Sequence, residues 1–160
     1  MEKQTLKAIN DYIKKINYNF LDKPLVIGGM ALQYYGIRKS GKDIDLMVST
    51  RDWNRLLKLH PDKEKKFLFG KKVDEGFDAT ITLKGGNHID LIKTLLGYTY
   101  SDICKGSLTF PNFRMASIEK ILFIKTFPAI AFDNKRNLRD INTIICFLWK
   151  KQKEKYDKSK

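Results

Sequence analysis

The sequence predicts an α+β domain with a mixed β-sheet, flanked by helices and closed by C-terminal helices. Three observations predict it. A short apolar run, Leu25-Val26-Ile27, is bounded by Pro24 and Gly28 and sits between two helical stretches. Alternating apolar and polar residues flank the pair Gly85-Gly86. The last third of the chain repeats apolar residues every three or four positions.

The elements follow in order. Leu6, Ile9, Ile13, Ile16 and Phe20 share one helical face, and Pro24 is expected to stop that helix. Leu25-Val26-Ile27 reads as a buried strand. Residues 30–35 read as a short helix ended by Gly36, and residues 43–48 as the second strand. Ser49 or Thr50 can cap a helix over 51–59 that carries Trp53, Leu56 and Leu57. Residues 67–73 fit no single pattern. Residues 77–83 and 88–92 alternate around Gly85-Gly86 as a hairpin. Residues 102–110 read as one more strand or a loop. Ser117 caps a helix through Phe127, expected to break near Pro128. Residues 136–149 close the fold with Leu138, Ile141, Ile144, Ile145 and Leu148 on one stripe. Residues 1–150 are expected to form a single domain, and 151–160 a basic, frayed tail.

With 160 residues, 42% hydrophobic and 31% charged, the chain is long enough for a real core and has the composition of a soluble globular protein. No apolar run reaches the roughly 18 residues of a membrane helix, and the first ten residues do not resemble a secretory signal. Cys104 and Cys146 lack metal-type spacing and are expected as reduced thiols in a cytoplasmic protein. A net charge of +13 fits an anionic partner such as a nucleotide or RNA, or simply a solvated lysine-rich surface.

Asp43-Ile44-Asp45 carries the most chemistry. On a strand, side chains two apart leave the same face roughly 6.5–7 Å from each other, so the two carboxylates can converge on one divalent ion. Mg²⁺ takes oxygen ligands and keeps waters that phosphate oxygens can replace. A third carboxylate should come from a neighbouring strand. Asp90, inside the alternating run His88-Ile89-Asp90-Leu91-Ile92, is the preferred candidate, because strand interiors rarely hold an unexplained Asp. Asp78, at a strand start, is the runner-up. Gly28-Gly29 lets a backbone approach phosphate closely and opens the following helix, whose N–H groups favour anions. Arg38 and Lys39 lie in the loop before Asp43 and can neutralise phosphate. Lys125 falls on the apolar stripe of Ile118, Ile121 and Leu122, so it needs an anionic partner or a path to solvent. A triphosphate would be one such partner. Arg136 and Asp140, at i and i+4, fit a surface pair. His88 shares a strand face with Asp90 and either borders the site or faces solvent at an edge.

The stretch from Val26 to Leu46 places Gly-Gly, a short helix and Asp-x-Asp in succession. It resembles the first motif of the DNA polymerase β-type nucleotidyltransferase superfamily. Ser117-Ile-Glu-Lys-Ile-Leu-Phe-Ile-Lys125 and Arg139-Asp140-Ile141 are similar to helical segments of its small prokaryotic stand-alone branch, which includes abortive-infection toxin-like and antibiotic-modifying enzymes. The resemblance spans roughly residues 20–148. It implies a nucleotidyltransferase fold and Mg²⁺-dependent transfer of NMP from an NTP, such as ATP, to a hydroxyl with release of pyrophosphate. It implies that Asp43, Asp45 and Asp90 hold two Mg²⁺ ions, with Asp90 also helping to deprotonate the acceptor. Gly28, Gly29 and Lys125 would contact the nucleotide phosphates. The acceptor would be RNA, tRNA or a small hydroxylated molecule, and a helical partner protein or a second copy could complete its binding wall.

Two other classes fit the same residues. The chain could be a nucleotidyltransferase-like binding component of a toxin–antitoxin pair with little or no activity. Or it could be a plain RNA binder, which would expose aromatic residues such as Tyr34, Tyr35, Tyr98 and Tyr100 beside basic ones.

Overall fold

The computed structural model of the chain describes residues 2–60, 64–68, 71–72, 78–84 and 88–159. They form an α+β protein in two compact units, Met1–Ser117 and Ile118–Lys160. The first unit carries the sheet and the second is helical.

In the first unit, α1 (Glu2–Ile16) precedes β1 (Leu25–Ile27), α2 (Gly28–Tyr34), β2 (Ile44–Met47) and α3 (Thr50–Leu59). Then come β3 (Glu64–Leu68), β4 (Lys71–Lys72), β5 (Asp78–Lys84), β6 (His88–Leu95) and β7 (Tyr98–Thr99). The unit closes with α4 (Tyr100–Cys104), β8 (Leu108–Thr109) and β9 (Arg114–Met115). The strands make one mixed sheet in the order β4-β3-β5-β6-β2-β1-β9-β8, with β7 paired to β6. The β6–β2 and β1–β9 pairs are parallel, and the other neighbours are antiparallel.

Strand β1 is a continuous apolar run buried throughout, whereas β2 and β6 interrupt theirs with the half-buried Asp45 and Asp90. Leu25, Val26, Leu46, Met47 and Leu91 are fully buried, with Ile9, Leu32, Trp53 and Leu56 from the helices. The buried line of α1 is Thr5, Ile9, Tyr12 and Ile16, while Leu6 and Ile13 are half-buried. Asn17 ends that helix, seven residues before Pro24: it adopts φ 51° and its N–H bonds the Lys14 carbonyl at 3.1 Å. A polar side chain that tolerates the left-handed conformation stops the helix before proline is reached.

The second helix starts at Gly28, two residues earlier than its apolar pattern suggests. Its end follows expectation. Gly36, at φ +76°, donates to the Gln33 carbonyl and Ile37 to that of Leu32, a Schellman motif. Ser49 caps α3, accepting from the Asp52 N–H at 3.3 Å. The ambiguous stretch 67–73 contributes to β3 and β4, and the expected turn at Gly85-Gly86 lies outside the described residues. Residues 102–110, expected as strand or loop, divide between α4 and β8. The Asp102 carboxylate accepts from the Thr99 N–H at 2.9 Å and from its hydroxyl at 2.6 Å, which fixes the first turn of α4.

The second unit is α5 (Ile118–Ala131) and α6 (Lys135–Lys158). Pro128 lies inside α5 and does not end it. Proline removes one hydrogen bond, and only three residues remain to Ala131, so the helix closes within a turn of the defect. Asn134 caps α6, accepting from the Asn137 N–H at 3.1 Å. Helix α6 runs into the basic tail as far as Lys158. Lys155 and Lys158 in its last turn complement the negative end of the helix dipole. Among the described residues, no helix is long and apolar enough to cross a membrane.

Candidate functional site

The site grows from the middle of the sheet. Parallel pairing of β2 with β6 sets Ile44 beside Ile89, Asp45 beside Asp90 and Leu46 beside Leu91. Adjacent strands lie about 4.8 Å apart, and partners on one rung project from the same face. The flanking Ile44, Leu46, Ile89 and Leu91 are buried, whereas Asp45 and Asp90 are only half-buried. Their neighbours thus anchor the sheet while the two carboxylates stand side by side on the opposite face.

On the other side of Asp45, antiparallel pairing sets it against Ile27, the residue before Gly28. Gly28 has φ +62°. A Cβ added there would collide with Asp45 Oδ2. Glycine is required twice over, for the backbone conformation and for the carboxylate that lies against it. Gly29 is different. A Cβ there would meet Ser40 Cβ at 3.6 Å and the Arg38 guanidinium nitrogens at 3.7 and 3.8 Å, ordinary contacts. Of the glycine pair, only the first is shaped by Asp45, while the second faces Arg38.

Asp43 stands exposed immediately before β2. Its charge helps to raise the Tyr12 phenol above its ordinary value, after the larger effect of burial. The loop between α2 and β2 is tied down around it. The Ser40 N–H donates to Gln33 Oε1 at 2.7 Å, Gln33 Nε2 donates to Thr5 Oγ1 at 3.0 Å, and the Tyr12 hydroxyl donates to the Lys42 carbonyl at 2.6 Å. Arg38 donates to the Lys39 carbonyl at 2.9 Å, and Lys39 is exposed. The sequence reading passed over Thr5, Tyr12, Gln33 and Ser40, because none carries a charge or a motif.

The register also separates the two candidates for the third carboxylate. Thr82 of β5 pairs with Asp90, and Asp78 lies four residues away along that strand, roughly 13 Å. His88 is exposed at the start of β6, two residues from Asp90. Among the described residues, no three His, Cys, Asp or Glu side chains are grouped closely enough to hold a metal ion.

Lys125 belongs to the second unit, where its ammonium contacts Asp140 Oδ2 at 2.7 Å and Asn137 Oδ1 at 3.1 Å. Asp140 is buried, not the surface residue its spacing from Arg136 suggests. The anionic partner that an apolar stripe demands of Lys125 is therefore present within the chain.

Asp52, also missed, is fully buried and accepts four hydrogen bonds: from the Tyr18 hydroxyl at 2.8 Å, Leu21 N–H at 2.8 Å, Asp22 N–H at 2.9 Å and Ser49 hydroxyl at 3.0 Å. The pattern Ser49-x-x-Asp52 was the available signal, since an acid at the third position of a capped helix serves the preceding chain. Asp52 orders the residues leading into β1. Of the four tyrosines considered for base stacking, Tyr34 packs edge-on against Tyr35 and Phe110. Tyr35 donates to the Ala116 carbonyl at 2.9 Å and Tyr100 to the Lys23 carbonyl at 2.7 Å, and only Tyr98 is exposed. No family model matches this chain, and neither does any curated protein.

Proposed function

We propose that the sheet-bearing unit is a Mg²⁺-dependent nucleotidyltransferase of the DNA polymerase β type, moving NMP from an NTP to an acceptor hydroxyl. The observation that carries this reading is the shared rung of Asp45 and Asp90, with Gly28 pressed against the Asp45 carboxylate. Two half-buried carboxylates on adjacent parallel strands repel each other unless a cation lies between them. Their donor set is all oxygen, which suits Mg²⁺, and the exposed Asp43, the residue just before β2, is the further carboxylate that would have to turn towards the ion. Asp43, Asp45 and Asp90 would hold two such ions, whose role when bound is to neutralise charge on the attacking and leaving oxygens.

The residues have separable tasks in this reading. Gly28 lets the backbone come close to phosphate. Arg38, whose guanidinium lies near Gly29, and the exposed Lys39 offer charge-assisted donors to the triphosphate. Asp90 takes the proton from the acceptor hydroxyl as its oxygen bonds the α-phosphorus and pyrophosphate leaves. A triphosphate contact by Lys125 would have to compete with its ion pair to Asp140. The acceptor is RNA or tRNA if the +13 charge is used for recognition, and a small hydroxylated molecule otherwise.

The test incubates the full chain with labelled NTPs, Mg²⁺ and either tRNA or small polyols and aminoglycosides. Labelled acceptor and pyrophosphate should form with the wild type and not with Asp45→Asn. Equal turnover by the two proteins would remove the assignment. Nucleotide binding without transfer to any acceptor would instead favour a binding component of a two-protein pair.

A further inference from the structure

The helical unit presents apolar surface that its own two helices do not cover. Within α6, Ile144 is fully buried, yet Leu138, Ile145, Trp149 and Tyr156 are exposed, Ile145 by 51%, Trp149 by 75% and Tyr156 by 61%. Their spacings are seven, four and seven residues. At 100° per residue these four lie within about 40° of one another, a single line along the helix. The line runs 18 residues, about 27 Å. On α5, Phe123, Phe127 and Ile130 repeat the arrangement at spacings of four and three, with Ile130 77% exposed. Scattered exposed apolar residues are ordinary, but an aligned row of Leu, Ile, Trp and Tyr on one helix marks an interaction surface.

Charge indicates what fits there. Residues 118–160 hold eleven Lys or Arg against five Asp or Glu. One of those five, Asp140, is consumed by Lys125. Lys135 and Lys153 lie about 60° and Arg139 about 100° from the apolar line on one flank, where Asp157 is the single acid against these three cations. A second copy of the chain would bring these cations against one another, which costs energy at an interface. An amphipathic helix with an apolar stripe and acidic flanks meets both features at once.

We propose that the outer face of α6 is a docking site for an acidic amphipathic helix of a partner protein, about five turns long. Trp149 and Ile145 are its apolar anchors, and Lys135, Arg139 and Lys153 pair with acidic flanks. This surface lies wholly within the second unit and does not depend on the transferase reading.

The test uses the full chain and two synthetic helical peptides of about 20 residues with the same leucine stripe, one flanked by Glu and one by Lys. Fluorescence anisotropy should give at least tenfold tighter binding of the Glu-flanked peptide, weakening between 0.1 and 0.5 M NaCl at roughly those concentrations. Ile145→Ser with Trp149→Ser should lower that affinity at least tenfold, with unchanged circular dichroism. Lys135→Glu with Arg139→Glu and Lys153→Glu should reverse the preference between the peptides while leaving the apolar anchors in place. Equal binding of both peptides, or of neither, overturns the proposal. So does a wild-type dimer in sedimentation that the Ile145/Trp149 variant dissolves, which assigns the face to a second copy. Trp149-dependent binding to phosphatidylglycerol vesicles without peptide binding assigns it to a lipid surface and overturns the proposal equally.

Discussion

Asp45 and Asp90 occupy one rung of the parallel β2–β6 ladder, although 45 residues separate them in the chain. The rung brings two carboxylates together. A divalent cation should therefore stabilise the fold. At about 100 times its dissociation constant, a ligand of the native state adds about 2.7 kcal/mol. Mg²⁺ is expected to raise the melting temperature of the wild type by several degrees and that of Asp45→Asn by far less. Both Asp45→Asn and Asp90→Asn should lower nucleotidyl transfer by about a thousandfold or more while remaining folded, a scale typical of charge-stabilising groups. Thermal melts with and without Mg²⁺, beside the transfer assay, check both statements.

The two glycines should respond differently to the same substitution. Gly28→Ala forces a methyl group into Asp45 Oδ2 and an L-residue into φ +62°. It should cost about 1–3 kcal/mol and disturb Asp45 as well. Gly29→Ala meets only ordinary contacts within a helix, so stability should hold or rise by up to about 1 kcal/mol. Chemical denaturation of the pair decides this, and a larger loss at Gly29 would contradict the packing described.

Removing the Asp52 carboxylate leaves two backbone N–H groups and a phenol without their acceptor. Asp52→Ala should destabilise by about 3 kcal/mol or more, read as a shift in the denaturation midpoint.

The same cluster gives the protein an alkaline limit. Burial, and secondarily the bond to Asp52, push the Tyr18 hydroxyl up to about 12. Free tyrosine titrates near 10. The folded state holds this proton more tightly than the unfolded chain does, so the contribution is intact below about pH 10 and is lost as pH rises towards 12. Tyr100, raised to about 12 chiefly by burial, adds to the same limb. Tyr18→Phe should flatten part of the stability loss between pH 10 and 12, measured by urea midpoints across that range.

Lys125 and Asp140 make a buried pair whose halves cannot be removed singly without cost. Lys125→Met should destabilise by about 3–5 kcal/mol, whereas Lys125→Met with Asp140→Leu should recover most of that loss. If Lys125 also contacts the triphosphate, the double variant will be stable yet show a raised KM for NTP. If the pair is purely internal, KM will not move.

That Asp45 and Asp90 lie on strands was legible in the sequence, because strand periodicity is local and an Asp within an apolar strand is conspicuous, whereas Asp43, expected on the same strand, falls just before it. The parallel register that seats Asp90 against Asp45 was not, since pairing across β2 and β6 depends on the whole sheet. Lys125 was legible as an oddity on an apolar stripe, but its partner was not, because Asp140 comes from another helix. Asn17 ending α1 was missed for a simpler reason: Pro24 is the stronger signal, and the left-handed Asn acts first. In α6 the expected stripe combined two faces. Ile144 belongs to the buried one, and Leu138 and Ile145 to the exposed one. Composition alone cannot divide them when both are apolar.

The loop that carries Arg38 and Ser40 is fastened to the first helix through Gln33–Thr5 and Tyr12–Lys42. The beginning of the chain thus works as a clasp on the segment that leads into Asp43. Shortening the protein from its front by a dozen residues would loosen the approach to the carboxylates from behind and take away the Tyr12 phenol that senses the Asp43 charge.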